Sequence, residues 1–146
     1  MTKKNTSPSI FKAYDIRGTY PDEVNPEIAY TVGASFATLL KKENPGQQLK
    51  IIVGRDMRTS SEELSAELIK GVTDAGLDVI EIGLCTTPAM YFAVGARGCD
   101  GGIIVTASHN PPEYNGFKMV RSQARPVGEG NGMEKCSFLS CLRFDY

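Results

Sequence analysis

Between Thr106 and Lys118 the chain reads Thr-Ala-Ser-His-Asn-Pro-Pro-Glu-Tyr-Asn-Gly-Phe-Lys, which puts a hydroxyl, an imidazole and an ammonium into one short stretch. A serine hydroxyl acts as a nucleophile or phosphate acceptor when a base takes its proton and cations neutralise the charge that develops. Ser108 is the candidate for that role. His109, Lys118 and the basic loop holding Arg55 and Arg58 are the groups that would assist it, and Pro111 and Pro112 would stiffen the turn that holds the reacting oxygen. The plainer alternative is a rigid turn. In it Ser108 caps backbone, His109 and Lys118 are solvated, and Asn115-Gly116 makes a hairpin turn. On residue types alone this alternative has the stronger claim.

The surrounding pattern says which elements would carry these residues. Ile10 to Thr19, with Phe11, Ala13, Tyr14 and Ile16, reads as an extended piece entering a tight turn at Arg17-Gly18. Asn25-Pro26 then caps a helix with Ile28, Val32, Phe36 and Leu40 on one face, closed by Lys41, Lys42 and Asn44-Pro45-Gly46. Leu49 to Val53 reads as a buried strand ending at the loop Gly54-Arg55-Asp56-Met57-Arg58. A second helix follows, capped by Thr59 or Ser60, with Glu62 or Glu63 completing a capping box and Gly76 ending it. A strand over Leu77 to Ile82, a helix over Pro88 to Ala96 and a strand over Gly101 to Thr106 complete the series, with a shorter strand at Phe117 to Val120.

This alternation predicts a three-layer α/β domain. Its sheet is mostly parallel, made mixed by the last strand, and covered by helices on both faces, because parallel neighbours need helical crossovers. The loops after Gly54 and after Thr106 both leave the carboxyl ends of strands, where open α/β sheets bind their ligands. Gly101-Gly102 precedes its strand instead of joining a strand to a helix, so there is no P-loop or dinucleotide fingerprint, and a nucleotide cofactor is not expected.

Composition bounds the partners. In 146 residues, 16 Lys+Arg against 17 Asp+Glu leave a net charge of −1, which gives no broad attraction to nucleic acid or an anionic membrane. No apolar run approaches the roughly 18 residues that span a bilayer, and the polar start lacks a signal-peptide core, so a soluble cytoplasmic protein is expected. Cys85, Cys99, Cys136 and Cys141 form no C-x-x-C pair and lie far from the single histidine, so they read as core or incidental thiols and not as a zinc site.

Three segments together carry a family resemblance. The stretch from Thr106 to Lys118 resembles the phosphoserine signature of the α-D-phosphohexomutase superfamily. Ala13-Tyr14-Asp15-Ile16-Arg17-Gly18 and Gly54-Arg55-Asp56-Met57-Arg58 are similar to two further motifs of that family, in the same order. Asn-Pro-Pro-Glu-Tyr-Asn-Gly-Phe-Lys most resembles the phosphomannomutase/phosphoglucomutase branch. The resemblance implies the first of the family's four domains, over 9–134, preceded by a polar leader at 1–8 and followed by an atypical tail at 135–146.

The resemblance implies that Ser108 is phosphorylated in the resting enzyme. Its phosphoryl group passes to a hexose phosphate, the bisphosphate reorients, and the other phosphate returns to the serine, so that hexose 1-phosphate and 6-phosphate interconvert by intramolecular phosphotransfer. Arg17, His109 and Lys118 are implied as catalytic and substrate-binding groups; Tyr14 reads either as substrate-binding through its hydroxyl or as core packing beside Phe11 and Ile16. Lys118 is preferred to His109 because it stays cationic near neutrality. Asp15 would orient Arg17. Arg55, Asp56, Arg58 and Asn110 are assigned to loop support. The implied metal is one Mg²⁺, to which this chain contributes only Ser108 through its phosphate, and hexose 1,6-bisphosphate is the implied intermediate and activator.

The family's metal loop, sugar-recognition loop and substrate-phosphate site belong to domains 2–4, which have no counterpart here. The chain alone is therefore expected to be inactive as a mutase, and its length fits a truncated or frameshifted reading frame. The competing expectation is a non-catalytic α/β module that binds a sugar phosphate or a protein partner, with Cys136, Phe138, Leu139, Cys141, Leu142 and Phe144 of the tail as an apolar interface. Hexose preference and oligomeric state are not legible in the residues.

Overall fold

The computed structural model describes residues 8–133; the tail at 135–146, with Cys136, Cys141 and the apolar interface assigned to it, lies outside the described residues. Five strands and three helices alternate as expected: β1 (Ile16–Thr19), α1 (Pro26–Glu43), β2 (Lys50–Arg55), α2 (Ser61–Asp74), β3 (Asp78–Leu84), α3 (Thr87–Ala96), β4 (Gly101–Val105) and β5 (Tyr114–Arg121). The sheet order is β1-β5-β4-β2-β3. β2 runs parallel to both β3 and β4, whereas β5 is antiparallel to β4 and to β1, so the sheet is mixed.

Side-chain alternation divides the core in two. Ile51 and Val53 of β2, Ile103 and Val105 of β4, and Phe117 and Met119 of β5 face α1 and α2, where Val32, Phe36, Leu64, Leu68 and Val72 are fully buried. Ile52, Ile104 and Val120 face the other way, onto Met90 and Val94 of α3. Three layers result, with helices on both faces of the sheet. Asn25 caps α1 through its side-chain oxygen, which accepts from the Ile28 N–H at 3.0 Å, and Pro26 occupies the first turn.

The crossing of α1 and α2 depends on two glycines. A Cβ on Gly33 would lie 2.2 Å from the Leu68 carbonyl oxygen, and one on Gly71 would lie 2.1 Å from that of Tyr30. Backbone cannot yield as a flexible side chain can, so any side chain here forces the helices apart. Gly71→Ala is therefore expected to destabilise by about 2 kcal/mol, an overpacking cost of about 3 less the roughly 1 that alanine gains in a helix. Thermal unfolding of the variant checks this, and an unchanged midpoint would rule out a close crossing.

Two pairs read as turns prove to be strand. Arg17 pairs with Gly116 and Gly18 with Asn115, in the middle of the β1–β5 ladder. Their glycines serve close approach, not reversal of the chain: a Cβ on Gly116 would lie 1.9 Å from the Ile16 carbonyl oxygen, and one on Gly18 2.7 Å from Glu23 Cβ. Gly54 and Arg55 likewise belong to β2, pairing with β3 and β4, so the basic loop begins only at Asp56. The expected capping box of α2 is absent. Ser60 makes no cap bond, because its hydroxyl accepts from Asn115 Nδ2 at 2.8 Å, and Glu63 accepts instead from the Tyr20 hydroxyl at 2.5 Å.

Candidate functional site

The loop between β4 and β5 leaves the carboxyl edge of the parallel strands beside the loop that follows β2. Its first residue, Thr106, is buried and continues the ladder, its N–H donating to the Gly116 carbonyl at 2.9 Å. The Thr106 hydroxyl donates to Asp56 Oδ2 at 2.8 Å and accepts the Ser108 N–H at 3.0 Å. Ala107 beneath is fully buried. Ser108 then adopts φ +55°, the left-handed region that a residue with a Cβ enters at a cost of about 1–2 kcal/mol. Its side chain is exposed, with Oγ 3.1 Å from His109 Nδ1.

Arg58 holds this conformation from the other loop. Nη1 donates to the carbonyls of Pro111 at 2.7 Å and Tyr114 at 3.0 Å, and Nη2 to those of Ser108 at 3.0 Å and Asn110 at 2.7 Å. One planar guanidinium thus gathers four carbonyls of a single turn, while its Nε pairs with Asp56 Oδ2 at 3.2 Å. Asp56 is anchored in turn by the Arg58 N–H at 3.1 Å and the Ser61 hydroxyl at 2.6 Å, both on Oδ1. Asn110 closes the turn locally, its N–H and Nδ2 both donating to the Ala107 carbonyl. Arg55 stands apart from this brace: its side chain makes no hydrogen bond or ion pair with the described residues, and the proposed Arg-Asp-Arg cluster reduces to Asp56 and Arg58.

Other residues of the site were not legible beforehand. Thr106 and Asn115 both stand in the stretch from Thr106 to Lys118, but their residue types pointed to no role for Thr106 and only to a turn for Asn115. Asn115 is wholly buried, its Nδ2 donating to the hydroxyls of Ser60 at 2.8 Å and Ser61 at 3.0 Å, so it ties β5 to the start of α2 and is not a turn residue. Only its direct succession to the Pro-Pro turn could have hinted at this. Cys85 lines a cleft of about 410 Å³ with Asp56, Thr106, Ile104, Thr87 and Ser108. Burial pushes the Cys85 thiol above its ordinary range, which keeps it protonated and poorly nucleophilic.

The remaining predicted residues lie on the adjoining surface. Arg17 stands directly opposite Gly116, and Lys118 opposite Ile104, so both belong to the α3 face of the sheet. Arg17 is half-buried and paired through Nη2 with Asp15, while its Nε–H is buried with no partner among the described residues. With Asp15, Asn110 and Tyr114 it lines a second cleft of about 440 Å³. Burial, and then the Asp15 carboxylate, push the hydroxyl of Tyr91 on α3 upward. His109, and not Lys118, touches the Ser108 hydroxyl. Tyr14 is 77% exposed, which rules out the core-packing role its apolar neighbours suggested. Among the described residues no group of three His, Cys, Asp or Glu is placed to hold a metal ion.

Comparison with known proteins bears on the whole of this region. A family model described as phosphoglucomutase/phosphomannomutase, alpha/beta/alpha domain I, matches residues 8–134. A phosphomannomutase of Klebsiella pneumoniae is 49% identical over 128 residues, which cover 88% of this chain and 78% of that one. One from Escherichia coli is also 49% identical over 128 residues, but these span only 27% of its length. The crystal structure of a phosphoglucomutase/phosphomannomutase family protein from Burkholderia thailandensis superposes with a TM-score of 0.80 at 38% identity, over 92% of this chain and 31% of that one.

Proposed function

Since the chain belongs to the phosphoglucomutase/phosphomannomutase family through domain I, we propose that it carries the phosphoryl-accepting serine of a hexose-phosphate mutase, and that this serine is Ser108. One observation carries the reading. The Ser108 backbone is locked in a left-handed conformation by Thr106 and Arg58, while its hydroxyl stays exposed against His109 Nδ1. Left-handed backbone alone is not distinctive, since Gln123 and Ala124 share it; at Ser108 it is clamped from a second loop at the carboxyl edge of the parallel strands, with the hydroxyl left exposed.

In the proposed step Ser108 Oγ attacks a phosphorus of a hexose 1,6-bisphosphate. The Oγ–P bond forms, the P–O bond to the sugar breaks, and the serine proton ends on the departing sugar oxygen, leaving phosphoserine and a hexose monophosphate. In the preceding half-reaction phosphoserine gives its phosphoryl group to the free hydroxyl of a hexose monophosphate, the hydroxyl proton returning to Ser108 Oγ, and the bisphosphate so formed reorients to present its other phosphate. His109 Nδ1, when unprotonated, is placed to accept the serine proton. Arg17, with its unpartnered Nε–H, and Lys118 supply positive charge on the α3 face for phosphoryl oxygens, since such transfer relies on positioning and charge neutralisation. Tyr14 offers its exposed hydroxyl to the sugar.

Both Asp56 oxygens are already engaged, so of the site residues only Ser108, through its phosphate, would contribute to Mg²⁺, which when bound neutralises phosphoryl charge. Mannose and glucose phosphates are the proposed substrates, acting together with portions of the protein that the longer relatives possess. No helix among the described residues is long and apolar enough to cross a membrane, and the proposed reaction suits the cytoplasm. The test is the phosphorylation state of the native gene product isolated without phosphatase. One phosphoryl group on the peptide containing Ser108 is expected, and its consistent absence would sink the assignment.

A further inference from the structure

We propose that Thr106 is a positioning residue for phosphoryl transfer, setting the orientation in which Ser108 meets phosphorus; this rests on the reading of Ser108 as the acceptor. The argument starts from what a threonine hydroxyl can do: it has one proton to give and two lone pairs to receive with. Ionised Asp56 can only accept, so at 2.8 Å the Thr106 proton is committed to Oδ2. The lone pairs are thereby turned toward the loop, where one takes the Ser108 N–H at 3.0 Å. Polarity along the chain Asp56, Thr106, Ser108 is therefore defined by the carboxylate and cannot reverse.

That chain begins on rigid structure. Asp56 is fixed at the entrance to α2 by the Arg58 N–H, the Arg58 Nε and the Ser61 hydroxyl. Thr106 is 6% exposed and bonded through its backbone to β5. Arg58 holds the carbonyl side of Ser108, and Thr106 alone holds its N–H side. Without the hydroxyl, rotation about the Ala107–Ser108 segment becomes free on one side, and the left-handed residue can relax toward a negative φ that swings Oγ off the cleft. The Thr106 hydroxyl is engaged by Asp56 and the Ser108 N–H, so the proposed effect passes through Ser108.

The experiment compares the full-length gene product with its Thr106→Val and Thr106→Ser variants. Valine keeps the shape and removes both hydrogen bonds, while serine restores the hydroxyl without the methyl group. Glucose 1,6-bisphosphate is the probe, phosphate appearing on Ser108 is followed by rapid-quench mass spectrometry, and exchange of the Ser108 amide is read in parallel. Thr106→Val is expected to slow uptake about 100-fold at saturating probe, with half-saturation little changed, because misplacement by about 1 Å costs on that scale. Its Ser108 amide should exchange faster, and Thr106→Ser should recover both properties. Equal uptake rates in the valine variant and the parent would overturn the proposal while leaving the acceptor assignment intact. No uptake by the parent would overturn the acceptor assignment itself, and this proposal with it. Slow uptake in both variants alike would also overturn it, by showing that packing of the methyl group and not the hydroxyl matters.

Discussion

Ser108→Gly is expected to melt slightly above the parent protein while accepting no phosphate at all. The two effects come from separable parts of one residue. The Ser108 N–H and carbonyl make the bonds to Thr106 and Arg58, whereas its hydroxyl contacts only His109. Glycine keeps the first set and removes the second. At φ +55° it also relieves a cost of about 1–2 kcal/mol for a side chain in the left-handed region. Against this stands the larger freedom of glycine in the unfolded chain, about 0.5–1 kcal/mol. The net gain is about 0.5 kcal/mol, or about 2 °C in the melting temperature. Ser108→Ala removes the same hydroxyl but retains the strain, so it should lose phosphate uptake without the rise in melting temperature. Calorimetry and uptake from glucose 1,6-bisphosphate measure the two halves. A glycine variant that melts well below the parent would show that the serine hydroxyl is structural, and uptake by either variant would move the acceptor elsewhere.

Arg58→Met should show the largest loss of both stability and transfer. Arg58 satisfies four carbonyls and pairs with Asp56, and its side chain is only 11% exposed. Methionine fills much of the volume but offers no donor. Some of the freed carbonyls sit at the rim and regain water, so the cost is less than the sum of four charge-assisted bonds and comes to about 3 kcal/mol. For a domain of this size that lowers the melting temperature by about 10 °C. Uptake should fall by about 100-fold or more, since the turn carrying Ser108 loses its shape. Arg58→Lys is the informative companion. Its ammonium keeps the charge but is a compact group that cannot spread donors across four carbonyls and a carboxylate, so it should recover only a small part of either loss. Full recovery with lysine would mean that charge near the phosphate, and not the clamp, is what Arg58 provides.

The elements were legible because their signals are local. Asn25-Pro26 announces a helix start whose side-chain cap forms, to Ile28, whereas the signal read at Thr87-Pro88 is one residue late: Thr86 makes the cap, to Ala89, and Thr87 is the first helical residue. Runs such as Ile51-Ile52-Val53 and Ile103-Ile104-Val105 can be apolar throughout because both faces of the sheet are covered. The misreadings share one cause. Arg17-Gly18, Asn115-Gly116 and Gly54 all contain glycines that resemble turn punctuation, yet each serves close packing: Gly116 against Ile16 and Gly54 against Cys85, both distant in the chain, and Gly18 against Glu23. A glycine that permits a bend and one that makes room for another backbone look alike until the neighbour is known. Ser60 failed as a cap for a related reason: its hydroxyl was claimed by Asn115, across the sheet edge.

By itself, then, the amino-acid order determined the layered α/β architecture and the strand-end loops, and marked Ser108 as the residue proposed to react, because caps, periodicity and motif residues act over a few neighbouring positions. Tertiary structure alone decided how that serine is held. Asp56 and Arg58 lie some fifty positions from Thr106 and Ser108 in sequence, and only the parallel pairing of β2 with β4 brings the two loops to one edge. It also decided which side chain touches the hydroxyl: rotation of the Ser108 backbone sets Oγ against His109, while the pleat sends Lys118 and Arg17 to the α3 face. Hydrogen-bond direction and the face of a strand depend on register, and register is a property of the assembled sheet.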